Sequence, residues 1–90
     1  MITFEDCLAF CELSEDEIDA IAEHEHLTET VALEMGSLVV RAPDGEFRIR
    51  QIIIDDIEAA QARGDLAHAA HLKHTLRRFI EQHPACRSAP

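Results

Sequence analysis

Apolar residues recur at three- and four-residue steps along the C-terminal half of the chain. Leu66, Ala69, Leu72, Leu76, Phe79, Ile80 and His83 lie on one face of a 3.6-residue helix. Ile49, Ile53, Ile57 and Ala60 do the same one segment earlier. Between the two patterns stands Gly64-Asp65. Glycine takes the left-handed cap that ends a helix without steric cost, and an aspartate after it can cap the next helix. Short connections make antiparallel neighbours. The expected centre of the fold is therefore a helical hairpin, residues 46–63 and 65–83. Alanines at 59, 60, 62, 67, 69 and 70 flank the turn and would let the helices approach closely.

The N-terminal half carries weaker patterns. Thr3 is placed to cap a short helix over about residues 4–12, with Phe4, Cys7, Leu8 and Cys11 on one face and Phe10 beside it. Ser14 and Glu17 have the capping-box spacing, and Leu13 and Ile18 the hydrophobic-staple spacing. Acidic residues crowd that first turn, where the helix dipole favours them. Ile18, Ile21 and Ala22 follow as a narrow apolar stripe up to about Glu25. Thr28 is placed to cap a third helix with Val31, Met35, Leu38 and Val39 inward.

Residues 37–50, SLVVRAPDGEFRIR, admit two readings. Ala-Pro-Asp-Gly is a turn signal, and its flanks could pair as strands. A lone two-stranded hairpin between helical patterns is marginal in water. The expectation is helix to about Arg41, a loop, and helix again from about Glu46. The fold class is then all-α: a small bundle of about five helices built around the C-terminal hairpin. Residues 1–84 form one helical domain and 85–90 a flexible tail.

Ninety residues make one domain of modest stability. No run of 18 apolar residues exists, and MITFEDC lacks the basic and apolar regions of a secretory signal. With three cysteines and no export signal, a reduced cytoplasm is the expected setting.

Charge changes the picture more. Residues 1–40 hold eleven Asp and Glu and no Lys or Arg, whereas 41–90 hold seven acids and eight bases, so the net −10 lies in the first half. Such a surface repels phosphate backbones and anionic membranes, so neither nucleic acid nor membrane is an expected partner. It either keeps the protein soluble or steers a basic protein partner. Lys73, Arg77 and Arg78 are placed to meet part of the field within the chain.

Candidate chemistry is sparse. His68, His71 and His74 step by three along the last helix, a spacing at which neighbours can share a Zn, Ni or Cu ion. His68 falls at the edge of the apolar face, His71 and His74 toward solvent, and His83 on the apolar face as a packed, hydrogen-bonded residue. Cys7, Cys11, His24 and His26 resemble a two-Cys, two-His zinc site, but H-x-H turns the imidazoles about 200° apart on a helix. Cys7 and Cys11 suit packing as small hydrophobes. Cys86 lies in the C-terminal tail. Asp55 and Asp56 are adjacent, diverge on a helix, and read as a solvated face. There is no glycine-rich phosphate loop and no nucleophile elbow, so no catalytic residue and no cofactor are expected.

Ile52, Ile53 and Ile54 span about 200° of a helix, which one partner helix cannot cover. One of Ile52 and Ile54 should stay partly exposed near Phe47. Exposed apolar patches mark chain contacts, and a two-fold dimer in which the patch meets itself is the simplest closed solution.

The segment Asp65-Leu66-Ala67-His68-Ala69-Ala70-His71-Leu72-Lys73-His74 resembles the UVR helical hairpin of nucleotide-excision repair proteins and some protease adaptors. Leu66 stands for that motif's aromatic, Ala67 for its Glu, Lys73 for its Arg and His74 for its Asp. The resemblance implies a hairpin that binds another protein, often a second hairpin. The whole chain is also similar to small all-helical bacterial proteins. The function expected is a small acidic protein-interaction or regulatory module without catalytic activity. The alternative is a small metal- or haem-binding protein using the last-helix histidines or the Cys7/Cys11 pair.

Overall fold

A computed structural model describes residues 13–83. Among them the chain is all-helical and has no strand. Four helices follow one another: α1 (Glu15–Glu25), α2 (Glu29–Val40), α3 (Gly45–Ala62) and α4 (Leu66–Gln82). The helix expected over 4–12, on which the count of five rests, lies outside the described residues, as does the tail 85–90. No helix among the described residues is long and apolar enough to cross a membrane.

Local chemistry explains the helix ends. Ser14 caps α1: its Oγ accepts from the Glu17 amide at 3.3 Å, and the Glu17 carboxylate accepts from the Ser14 amide at 2.9 Å. Leu13 and Ile18 on either side of the cap are both buried. Ser14→Ala is expected to cost about 1 kcal/mol. Urea titration followed by circular dichroism reads this, and an unmoved midpoint would mean the cap contributes nothing.

His26 ends α1 in the left-handed region, φ 56°. That region is uncommon for a residue with a side chain, and no glycine announced it. Thr28 caps α2 through the Val31 amide. Between α3 and α4, Gly64 has φ 77°, its amide donates to the Gln61 carbonyl, and the Asp65 amide donates to the Ala60 carbonyl at 2.9 Å. This is a Schellman ending. Asp65 then opens α4 by accepting from the His68 amide at 3.2 Å.

Ala42-Pro43-Asp44-Gly45 forms a turn, as the residues imply, but it joins two helices rather than two strands. The Gly45 amide donates to the Ala42 carbonyl and the Ala42 amide to Val39. The helix reading of 37–50 holds, with boundaries at Val40 and Gly45.

The core runs through all four helices. Ile18 and Ile21 of α1, Leu33 and Val40 of α2, Ile49, Ile53 and Ile57 of α3, and Leu72 and Phe79 of α4 are buried together. The contact between α3 and α4 is the most extensive. Of the six alanines around their link only Ala60 and Ala69 are buried, so those two set the close approach.

Two expected inward faces are corrected. In α2 the buried residues are Ala32, Leu33, Gly36 and Val40, whereas Leu38 is 74% and Val31 45% exposed. This helix is apolar almost all round, so periodicity left its orientation open. The face with two small residues packs inward, because it lets the helices approach closely. Leu66, which the pattern places inward, is 70% exposed, because it opens α4 beyond the end of α3 at Ala62.

Ile53 is fully buried, while Ile52 and Ile54 are half-buried. Ile52 packs against the core. Ile54 shares the outer stripe of α3 with the exposed Phe47, two turns away. His83 is buried as expected, its Nδ1–H donating to the Phe79 carbonyl at 2.9 Å and its ring 4.2 Å from that of Phe79.

Candidate functional site: a carboxylate–histidine cluster across three helices

The C-terminal half of α1 meets the middle of α3 and the start of α4 through ionisable side chains. His24 of α1 places Nε2 3.1 Å from Asp55 Oδ2 of α3, and its Nδ1 2.5 Å from Glu25 of its own helix. Glu23, one residue earlier, places Oε1 2.5 Å from His68 Nε2 of α4. Gln51 donates to the other Asp55 oxygen at 2.8 Å. One helical turn further along α4, His71 stands 3.6 Å from Asp16 of α1, a more exposed and looser pair.

Asp56 lies at the centre. Only 4% of its surface is exposed, and its Oδ2 is sealed from solvent without a hydrogen-bond partner. One oxygen of Glu23 is likewise sealed and unpartnered. Burial raises the Asp56 carboxyl to about 7, reinforced by the charges of Glu23 and Asp55 and opposed by His24 and His68.

For His24, burial is the largest single influence and lowers its pKa, but hydrogen bonds to Glu25 and Asp55 and the charge of Asp56 outweigh it, so the imidazolium is favoured. Asp55 is held below the usual carboxylate range by Gln51 and His24. Glu17, 1% exposed in the capping box, is raised by burial against the pull of Ser14, His83 and Arg78.

No family model, curated protein or solved structure matches this chain. What the cluster does must be read from its own chemistry.

A carboxyl that binds its proton near neutrality is suited to acid–base work. Asp56, however, has an oxygen sealed against solvent at a three-helix junction. The cluster can hold and release protons. Among the described residues no group of three or more His, Cys, Asp or Glu is placed to hold a metal ion.

The residues singled out from the sequence are scattered. His68 turns toward Glu23, His71 stays exposed within reach of Asp16, and His74 is exposed. His26 is the exposed cap of α1, apart from the role of His24. Cys7, Cys11 and Cys86 lie outside the described residues.

The reading of Asp55 and Asp56 as one solvated face is corrected. Asp56 stands three residues after Ile53 and four before Ala60, inside the buried stripe of α3. That spacing was visible in the sequence, although the sealing of the carboxyl by α1 and α4 was not.

Proposed function

We propose that this protein is a small acidic interaction or regulatory module without catalytic activity, whose partner is a protein with an apolar contact face and a basic rim. One observation carries the reading: Leu38, 74% exposed, and Val31, 45% exposed, lie two turns apart on the outer stripe of α2. Large apolar side chains aligned on one stripe favour a contact better than the same residues scattered singly. Glu34 borders that stripe, and Glu29 and Arg41 stand at the helix ends, within a half-chain whose charge is otherwise all acidic. The attraction would steer a basic partner and weaken with salt. Phe47 and Ile54 extend the apolar surface available on α3. The same reading keeps the antiparallel hairpin 46–63 and 65–83 as the organising unit of a five-helix bundle in the cytoplasm.

The test places a photo-reactive side chain at position 38 of the full chain, with a control at the exposed Ala67. A discrete adduct to a basic protein in cell extract, formed from 38 but not 67 and suppressed by salt, supports the reading. An adduct only to a second copy would replace it with self-association, which light scattering would register as a dimer mass. No adduct above background at position 38 would sink it.

A further inference from the structure

Helix α1 buries Ile18, Ala20 and Ile21, with Ile18 and Ile21 against Gly36 of α2, and reaches α3 and α4 through ionisable contacts along its length. Glu23 reaches His68, His24 reaches Asp55, and Asp16 reaches His71. The α3–α4 contact is broader, is closed by the Schellman link, and buries Ile53, Ile57, Leu72 and Phe79. Asp56 sits between the two contact zones with a sealed, unpartnered oxygen. Leaving a buried polar atom unpaired is costly, and a fold that retains one there has coupled its own stability to that atom's charge.

We propose that the Glu23–His24–Asp55–Asp56–His68 cluster is a proton-operated clasp, which holds α1 down while its protons are bound and loosens α1 as they leave, the α3–α4 pair remaining formed.

The groups facing Asp56 come from each helix packed around it: Glu23 and His24 from α1, Asp55 from its own helix, and His68 from α4. When Asp56 ionises it becomes a third carboxylate beside Glu23 and Asp55. The direction of the response follows from which form the folded state favours. Asp56 is raised from 3.8 to about 7, so its favourable contribution is complete below 3.8 and is lost as the pH climbs through 7. His24 is raised above 6.5, so its contribution is complete below 6.5 and is lost above its folded value. Glu17, facing His83 and Arg78 of α4, is raised and acts in the same direction. Asp55 is lowered and acts oppositely, but only in acid below the ordinary carboxylate range. Across neutrality every shifted group of the cluster therefore works toward a looser α1 at higher pH.

Amide hydrogen exchange of the full chain tests this, corrected for the intrinsic pH dependence of exchange. From about pH 6 to about pH 8.5, protection of the Ile18 and Ile21 amides is expected to fall at least about tenfold more than that of Ile57 and Leu72. Asp56→Asn should remove most of that difference. Equal loss in all helices, no loss, or an undiminished difference in the variant would overturn the clasp. In the unmodified protein, carbon NMR of the Asp56 carboxyl gives an independent reading. A midpoint near neutrality is expected, and one in the ordinary carboxylate range would also overturn the proposal.

Discussion

Gly45→Ala is expected to destabilise the protein by about 3 kcal/mol or more, at the upper end of what overpacking costs. An ideal Cβ at Gly45 would stand 1.6 Å from the Val39 carbonyl oxygen, 2.6 Å from its carbon and 3.1 Å from the carbonyl carbon of Val40. All three are backbone atoms, so no rotamer change relieves the clash. Relief requires opening the Ala42–Gly45 turn, whose two amide bonds to Val39 and Ala42 fix the approach of α2 to α3. Opening it would also pull apart Val40 and Ile49, both buried beside the turn. Gly64 supplies the control. Its φ of 77° disfavours a side chain, but a Cβ there meets nothing within 4 Å, so Gly64→Ala should cost only about 1–2 kcal/mol through conformation. Urea midpoints of the two variants decide the matter. Equal losses at both positions would mean the steric account of Gly45 is wrong.

Asp56→Asn should be stabilising in alkali, a direction opposite to most substitutions of buried residues. The folded state binds the Asp56 proton more tightly than the unfolded chain does, so the parent protein loses stability as the pH rises from the unfolded value of 3.8 through about 7. Asparagine has the same outline and no charge to bury. Its advantage over the parent should grow by about 2 kcal/mol between about pH 5 and about pH 8, less than the whole shift implies because part of the loss falls below pH 5. Denaturant titrations of both proteins at the two pH values measure the growth. A variant uniformly less stable than its parent at both would show that Asp56 remains ionised and well solvated in the fold.

The helix ends were legible because their signals are local. Ser14 with Glu17, Thr28, Gly64 and Asp65 act on amides within a few positions of themselves, and each does what its spacing implied. The stripes of α3 and α4 were legible where apolar and polar residues alternate cleanly. Where they do not, pattern fails: periodicity points Val31 and Leu38 inward because α2 has too little polarity to orient it. The candidate site was legible only in part. The spacing marks His24 and His68 as possible ligands, but their carboxylate partners lie 31 and 45 residues away.

Local residue chemistry already implies the helical class of residues 13–83, the helix boundaries between 14 and 83, the tight link at Gly64-Asp65 and the acidic first half. Those properties depend on backbone hydrogen bonds over three to five positions and on summed charge, neither of which needs a partner helix. Packing between helices sets which face of α2 turns inward, leaves no room for a methyl group at Gly45, and makes Asp56 a sealed carboxyl rather than a solvated one. Each of these depends on the distance between segments far apart in the chain. Dielectric burial and close packing belong to the assembled helices, and neither is a property of any one of them.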